Sequence, residues 1–161
     1  MIWLKKTKIS QFIIDETVIR VGREVVWIWV AIEPKTKSIL DMRISLERSM
    51  LVAEQFLQEL IKKYGKYPVS TDGGTWYPQA YRFLKLRHHT HSLTPSSYYY
   101  SYYYEKSIII ERTIQYTKKI DRTEMFDDYF PCQKDNCTLE HVRNWFNLFV
   151  DIHNSMIIFA K

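Results

Sequence analysis

The sequence predicts an α/β domain in which helices flank a mixed five-stranded sheet. Two observations carry this prediction. Three β-type runs joined by short turns occupy residues 9–45, a spacing typical of an antiparallel meander. The hydrophobic period then becomes helical over residues 53–64 and another β-type run follows. A crossover helix is therefore expected to bring the next strand in parallel to its neighbour.

The first three predicted strands differ in how apolar they are. The first, Ile9–Thr17, contains the continuous apolar run Phe12–Ile14, which suits a strand covered on both faces, and Asp15 follows directly. The second, Glu24–Ile32, has the strongest strand pattern in the chain because it is rich in β-branched and aromatic residues. The third, Ser38–Ser45, is more polar and is expected nearer an edge of the sheet.

A helix and two short strands complete the predicted sheet. Ser49 is a plausible N-cap of the helix and Gly65 a stop signal. Its buried face is predicted from apolar residues at helical spacing: Ala53, Phe56, Leu57, Leu60, Ile61 and Tyr64. Pro68–Asp72 follows as the fourth strand and Arg87–Ser92 as a short fifth strand. A three-stranded meander extended by two strands through helices is the ribonuclease-H-like plan.

Two further helices are predicted towards the end of the chain. Ile108–Ile120 carries a stripe of polar residues at helical spacing: Glu111, Gln115, Lys118 and Arg122. Thr138–Asn154 turns an apolar face inward: Val142, Trp145, Phe146 and Phe149. The sequence contains neither an internal repeat nor a linker, so residues 1–161 are predicted to form a single domain with a Tyr-rich insertion at 94–104.

Residues 69–78 form the turn that suggests a function. Asp72 ends the fourth predicted strand, and Gly73 and Gly74 let the backbone turn sharply beside its carboxylate. Thr75 is a plausible N-cap for a short helix at Gln79–Leu84. An acid at the C-terminal end of a strand lies where open α/β sheets bind their ligands. Asp before Gly is also the commonest turn chemistry.

Three acids are candidates for one site: Asp15, Asp72 and Glu111. If the first and fourth strands are neighbours, Asp15 and Asp72 lie side by side, and like charges so close repel unless a cation lies between them. Carboxylates suit Mg²⁺ or Mn²⁺, and two such ions about 4 Å apart can activate an attacking oxygen and stabilise a leaving one at phosphorus. The cations Lys118 and Arg122 beyond Glu111 would hold a DNA backbone, although a solvated face with ion pairs gives the same pattern.

Composition limits the class of function only loosely. The formal charge of +5 favours an anionic partner such as nucleic acid. No apolar run reaches the roughly 18–20 residues of a membrane-spanning helix, and the N-terminal residues lack a signal-peptide pattern. A cytoplasmic protein without a membrane partner is therefore expected. Cys132 and Cys137 are then expected to be reduced thiols rather than a disulfide.

Several stretches closely resemble DDE transposases of prokaryotic insertion sequences, in particular an archaeal branch whose catalytic core is related to retroviral integrases. They are Phe12–Thr17, Ser70–Pro78 and Glu105–Tyr116, with the likeness continuing through Asn144–Asn154. The resemblance implies that Asp15, Asp72 and Glu111 are the catalytic, metal-binding acids of two Mg²⁺ or Mn²⁺ ions. It further implies DNA transposition, in which phosphodiester bonds are cleaved and strands transferred at insertion-sequence ends. The family's basic residue two helical turns past the glutamate corresponds to Lys118.

The resemblance also implies partners. DNA is expected at both transposon ends and target, with contacts from Lys118, Lys119, Arg122 and Trp76. Self-association, or association with a full-length transposase, is expected as well. Such transposases usually begin with a helix-turn-helix or similar end-binding region, whereas this chain begins almost at the first catalytic strand. The alternative is therefore a truncated core, weak or inactive in catalysis, that binds DNA or transposase. A stand-alone nuclease with the same site is a third hypothesis.

Other motifs leave alternatives open. A zinc site is conceivable from residues with loose metal-ligand spacing: Cys132, Cys137, His141 and His153. The cluster His88, His89 and His91 is compatible with metal binding, with contacts to a DNA backbone or with a plain surface. The tract of Ser and Tyr at residues 96–104 is either a platform on which bases stack or a loop without a dedicated role.

Overall fold

The computed structural model of the protein describes residues 8–21, 23–90 and 138–159. The described elements are β1 (Phe12–Val21), β2 (Glu24–Ile32), β3 (Ile39–Ser45), α1 (Met50–Tyr64), β4 (Val69–Thr71), α2 (Tyr77–Phe83), β5 (His88–Thr90) and α3 (Leu139–Phe159). The five strands form one sheet in the order β3-β2-β1-β4-β5, so the third and fifth strands lie at its edges. Because β1 pairs antiparallel with β2 and parallel with β4, the sheet is mixed, and the predicted fold class is confirmed.

The central strand, β1, starts and ends later in the chain than the predicted Ile9–Thr17. Its antiparallel register with β2 runs from Ile13 opposite Ile32 to Val21 opposite Glu24. The predicted end at Thr17 is wrong because the pairing with β2 continues as far as the turn that joins the two strands. By contrast, the parallel pairing with β4 covers only the beginning of β1. The first candidate acid consequently lies within β1, beside the place where β4 stops.

The apolar run at the start of β1 is buried on both faces of the sheet, as predicted. Phe12 and Ile14 belong to the core cluster under α1 and α2, which also contains Trp29. Ile13 belongs to the cluster on the opposite face, where Phe146 of α3 packs. Burying a large apolar side chain contributes roughly 1.5–3 kcal/mol. The two layers of helices therefore hold β1 firmly in the middle of the fold.

Both predicted ends of α1 are confirmed. The Ser49 hydroxyl accepts a hydrogen bond from the backbone N–H of Val52 at 3.4 Å, which satisfies a donor that the start of a helix leaves open. Gly65 ends the helix at φ +96°, a conformation that residues with a Cβ rarely adopt. The predicted inner face packs on the sheet, with Ala53, Phe56, Leu57 and Leu60 buried and Ile61 and Tyr64 partly buried.

The last helix, α3, covers the other face and also holds the edge strand β3. Its predicted inner face is confirmed, with Val142, Phe146 and Phe149 buried and Trp145 partly buried. At the edge of the sheet, the Asn154 carboxamide accepts the backbone N–H of Ile39 at 2.9 Å and donates to the carbonyl of the same residue at 2.8 Å. One side chain thus makes both hydrogen bonds that a neighbouring strand would make there.

Other predicted features lie outside the described residues. These are the helix at 108–120 and the Tyr-rich insertion at 94–104. None of the helices in the described ranges is long and apolar enough to cross a membrane.

Candidate metal centre

Asp15 and Asp72 come together at the end of the short parallel pairing. The register pairs Phe12 with Val69 and Ile13 with Ser70, and the same offset places Asp15 level with Asp72. Oxygen atoms from the carboxylates of Asp15, Glu16 and Asp72 all lie within 4.8 Å of one another. The expectation that the first and fourth strands are neighbours is therefore confirmed, together with the proximity of these two aspartates.

The two glycines after β4 shape the turn that presents Asp72. Asp72 Oδ1 accepts the backbone N–H of Gly74 at 2.9 Å. Gly73 lies at φ +90°, and a Cβ on it would be 2.8 Å from Cγ2 of Thr90. A Cβ on Gly74 would overlap the indole ring of Trp76. The turn thus needs the first glycine for its backbone and the second to leave room for the indole.

The helix after this turn begins earlier than predicted. The expected N-cap at Thr75 and start at Gln79 are wrong, because α2 begins at Tyr77 and no side chain caps it. The Tyr77 ring is buried and lies edge-on to Trp29, with ring centroids 6.0 Å apart. Its backbone N–H bonds to the carbonyl of Gly74 at 3.2 Å. Burial of this ring, rather than a polar cap, fixes the start of the helix.

Glu16 is the member of the cluster that sequence reasoning missed. Neighbouring residues of a strand point to opposite faces, which argues against Asp15 and Glu16 sharing a site. Since β4 ends at Thr71, however, that side of β1 has no strand beside it, and Asp72 approaches both residues. The alternation of side chains along the strand could have identified Glu16. Every second residue points to the same face, so Glu16 shares the face of Phe12 and Ile14, which packs under α1 and α2.

The Glu16 carboxylate is almost fully enclosed. Its side chain is 3% exposed and accepts a hydrogen bond from the Tyr77 hydroxyl at 2.6 Å. Arg48 Nη1 lies 3.6 Å from its Oε1. The buried indole N–H of Trp76 has no hydrogen bond of ordinary geometry, yet it lies close enough to the carboxylate to favour its charged form.

Burial and charge act together on these groups. Burial is the largest cause that raises the pKa of Glu16, and the negative charge of Asp72 raises it further. The hydrogen bond from Tyr77, the charge of Arg48 and the indole N–H of Trp76 offset part of that increase. Burial, followed by the nearby Glu16 charge, raises the pKa of Tyr77 well above its ordinary value. The phenol therefore stays protonated and donates a hydrogen bond to Glu16.

The donor set fits a hard divalent cation. Three carboxylates within 4.8 Å of one another repel, and a cation between them relieves the repulsion. Carboxylate oxygens are the ligands that Mg²⁺ and Mn²⁺ prefer. Each aspartate also accepts a backbone N–H at 2.9 Å, Asp15 from Glu16 and Asp72 from Gly74, which fixes their orientation. These residues are therefore suited to hold Mg²⁺.

Trp76, predicted to contact DNA, borders the acidic cluster. The guanidinium carbon of Arg48 lies over its indole ring, 4.0 Å from the ring centroid, and also lies 4.2 Å from the ring centroid of Trp27. Trp76 is partly buried and packs against the core cluster beneath α1. Its contact with DNA stays a prediction. The remaining predicted site residues lie outside the described ranges: Glu111, Lys118, Lys119 and Arg122.

His88, one of the clustered histidines, packs within the fold. His88 stacks on Tyr81 with ring centroids 4.1 Å apart, and its Nε2 lies 2.8 Å from the Thr71 hydroxyl. Burial, with the charge of His89, lowers its pKa. His91 lies outside the described residues.

The zinc alternative is weakened by helix geometry. His141 and His153 both lie on α3, twelve residues apart, which separates them by about 18 Å along the axis. They therefore cannot bind the same zinc ion, and the four-ligand set with Cys132 and Cys137 is not formed. The two cysteines lie outside the described residues.

The mixed sheet, with carboxylates converging beside its central strand, belongs to the ribonuclease-H-like class of folds. Within that class, a family model described as a DDE domain, of the IS240 type of transposases, matches residues 9–129. The chain therefore belongs to this family of DDE transposases. Members of the family are polynucleotidyl transferases, and their cores use divalent metal ions.

Solved structures show the same fold. The integrase catalytic core domain of HTLV-2, determined in complex with magnesium, is similar with a TM-score of 0.59 at 13% identity, over 84% of this chain and 81% of that one. The intasome of simian T-cell lymphotropic virus, in complex with the PP2A regulatory subunit B56 gamma, gives a TM-score of 0.58 at 20% identity. That match covers 83% of this chain and 46% of the viral chain.

A curated relative is the uncharacterized protein MJ0017 of Methanocaldococcus jannaschii. It is 38% identical over 74 residues, which are 45% of this chain and 35% of that protein. The match thus spans about a third of the relative's length.

Proposed function

We propose that the protein catalyses DNA transposition, with metal-dependent phosphodiester cleavage and strand transfer at the ends of an insertion sequence. The observation that carries the proposal is the convergence of Asp15 and Asp72 beside the end of β4, with ligand oxygens within 4.8 Å. Asp15, Asp72 and Glu111 are the proposed catalytic acids. Family membership over residues 9–129 supports this chemistry, because that span contains all three acids.

The proposed cofactors are two Mg²⁺ or Mn²⁺ ions. When bound, such ions activate the attacking oxygen and stabilise the leaving one at phosphorus. The residues of the chain hold and orient the ligands. Backbone N–H groups orient both aspartates, and the buried residues Phe12–Ile14 anchor β1 directly before Asp15. The similar HTLV-2 core was determined with magnesium, which supports the choice of ion.

The proposed partner is DNA, both at the transposon ends and at the target. The formal charge of +5 and the predicted cations Lys118, Lys119 and Arg122 support this assignment. Assembly with further transposase chains is also proposed, because the similar viral chain is part of an intasome. We further propose that residues 1–161 fold as one domain and that the protein is cytoplasmic.

A second candidate function is a catalytically weak or inactive core that binds DNA or transposase. The observation that favours it is the modest formal charge of +5, which can neutralise only a few backbone phosphates. Under this alternative, DNA binding is weak, with Kd values of roughly 10⁻⁴–10⁻⁶ M, steeply salt-dependent and indifferent to end sequence.

The experiment that tests the metal centre is thermal unfolding with and without Mg²⁺ or Mn²⁺. At a concentration 100 times Kd, a bound ion stabilises the fold by about 2.7 kcal/mol. For a chain of this size that raises Tm by roughly 5–10 °C. Asp72→Asn removes a ligand charge and is expected to abolish the increase. Asp151→Asn makes the same substitution on the exposed surface of α3 and should keep it.

Activity is measured on labelled duplexes that carry terminal-repeat or scrambled ends. Metal-dependent nicking and strand transfer that disappear in Asp15→Asn and Glu111→Gln would support the transposase. A metal-induced increase in Tm without detectable nicking would favour the catalytically inactive core. An equal increase in the Asp72→Asn protein would contradict the metal centre itself.

A further inference from the structure

The guanidinium of Arg48 contacts two indole rings. Arg48 lies in the segment between β3 and α1, Trp27 lies on β2, and Trp76 precedes α2. The guanidinium carbon is 4.2 Å from the ring centroid of Trp27 and 4.0 Å from that of Trp76. The Arg48 side chain is nevertheless 37% exposed. Three separate parts of the chain thus combine to fix one accessible cation.

Contact with the two indole rings leaves the N–H donors of the guanidinium available. A guanidinium carries five N–H donors in its own plane, and an indole ring has no oxygen or nitrogen acceptor for them. One edge lies towards Glu16, but the separation of 3.6 Å exceeds a hydrogen bond. The rotational freedom of the side chain is already restricted in the folded protein. Binding of an oxyanion in this plane therefore loses little further conformational entropy.

Arg48 lies next to the acidic cluster of Asp15, Glu16 and Asp72. Glu16, its ion-pair partner, lies within 4.8 Å of Asp15 and Asp72. A phosphate at the acidic cluster has neighbouring phosphates on the same strand, and those require a cation beside the cluster. Arginine suits this role because its planar edge binds two phosphate oxygens at once.

Another arginine of the sheet shows the contrast. Arg43 on β3 donates to Glu59 at 3.0 Å and to Gln55 at 2.7 Å, so its guanidinium is engaged by side chains of α1. Arg43 and Arg48 carry the same charge, but Arg48 is flanked by aromatic rings next to the candidate site. Arg43 is therefore a matched control.

We propose that Arg48 binds a backbone phosphate of the DNA strand adjacent to the acidic cluster, and that Trp27 and Trp76 position its guanidinium. This inference rests on the proposed function, because the ligand is the DNA substrate. It gives Trp76 a role through Arg48, in addition to the predicted contact of its own with DNA. Arg48 has no role as a ligand of the metal ion.

The test is fluorescence anisotropy of the full chain with labelled duplex DNA in EDTA, over a series of salt concentrations. Arg48→Ala is expected to weaken binding about tenfold and to reduce the slope of log Kd against log salt by about one, as loss of one phosphate contact requires. Arg43→Ala should change Kd no more than twofold. Equal affinities and slopes for the two alanine variants would overturn the proposal.

A second variant keeps the test decisive if Arg48→Ala folds poorly. Arg48→Lys keeps the charge but loses the planar edge, so a several-fold weaker Kd with an unchanged salt slope is expected. Wild-type affinity in Arg48→Lys would overturn the geometric argument.

The same variants separate this inference from the proposed function. Because EDTA removes the metal ions, these measurements do not depend on catalysis. The Mg²⁺-induced increase in Tm should persist in Arg48→Lys, which shows that the acidic cluster is intact. Loss of that increase would place Arg48 in the metal centre and contradict the proposed role.

Discussion

Glu16 on β1 and Glu33, the residue after β2, are both enclosed glutamates, and they differ in what surrounds them. Glu33, just after β2, accepts hydrogen bonds from the backbone N–H and hydroxyl groups of both Ser10 and Thr36. Burial alone would raise its pKa, but these four bonds outweigh burial and lower it. Glu16 accepts a hydrogen bond from Tyr77 and faces the charge of Asp72, and its pKa is raised.

The difference distinguishes a structural acid from a site acid. Donors around Glu33 stabilise its charge, so it needs nothing further and ties the start of β1 to the turn after β2. Around Glu16, the hydrogen-bond donors do not fully offset burial and the nearby negative charge of Asp72. A bound cation would balance these charges. Burial is common to both, so burial alone does not identify a functional acid.

The largest effect is expected at Glu33. Glu33→Ala leaves the donors of Ser10 and Thr36 without their acceptor and should lower the free energy of unfolding by about 2–4 kcal/mol. Urea unfolding measures the change, with Glu47→Ala as an exposed control that should stay within about 0.5 kcal/mol. A small effect at Glu33 would remove the contrast between the two glutamates.

The lowered pKa of Glu33 predicts how its contribution to stability changes with pH. Since its folded pKa is below the ordinary value of 4.5, the carboxylate contributes stability above pH 4.5. That contribution is lost as the pH falls through the folded pKa. The stability difference between wild type and Glu33→Gln should therefore shrink under acidic conditions.

An intermediate effect is expected at Tyr77. Tyr77→Phe removes the hydrogen bond to Glu16 but keeps the buried ring, so the free energy of unfolding should fall by about 1–2 kcal/mol without metal. Because Mg²⁺ compensates the carboxylates directly, the loss should be smaller with the ion bound. The same loss with and without Mg²⁺ would separate Tyr77 from the metal centre.

The smallest effect is expected at Glu16. Its raised pKa means that the carboxyl group contributes stability below pH 4.5, and this contribution is lost as the pH rises through the folded pKa. Glu16→Gln without metal should therefore be neutral, or stabilising by up to about 1 kcal/mol, at pH 7. The advantage should disappear at pH 4 in urea titrations. A destabilisation like that of Glu33→Ala would show that Glu16 is a structural acid too.

Much of the fold was predictable because its signals are local. β2 has the predicted bounds, and Ser49 and Gly65 end α1 as predicted, since strand propensity and capping depend on a few adjacent residues. The end of β1 and the start of α2 depend on partners distant in the chain, namely β2 and the aromatic core around Trp29. Those boundaries were therefore misplaced.

The candidate site was predictable in part for the same reason. The proximity of Asp15 and Asp72 follows from a rule of topology, in which a strand that follows a crossover helix lies parallel to its neighbour in the sheet. The position of Glu16 in the site depends on where β4 stops pairing with β1, and no local sequence pattern predicts that end. The stack around Arg48 joins side chains from three segments and needs tertiary coordinates.

The carboxamide of Asn154 on Ile39 has a consequence for self-association. An edge strand with open N–H and C=O groups can recruit a strand from another molecule, which is a common route to aggregation. At Ile39 both groups are already bonded to one side chain of α3. Replacement of Asn154 by leucine would free that position while α3 remained packed on the sheet. The first sign of such damage would be light scattering in concentrated samples, before any loss of cooperative unfolding.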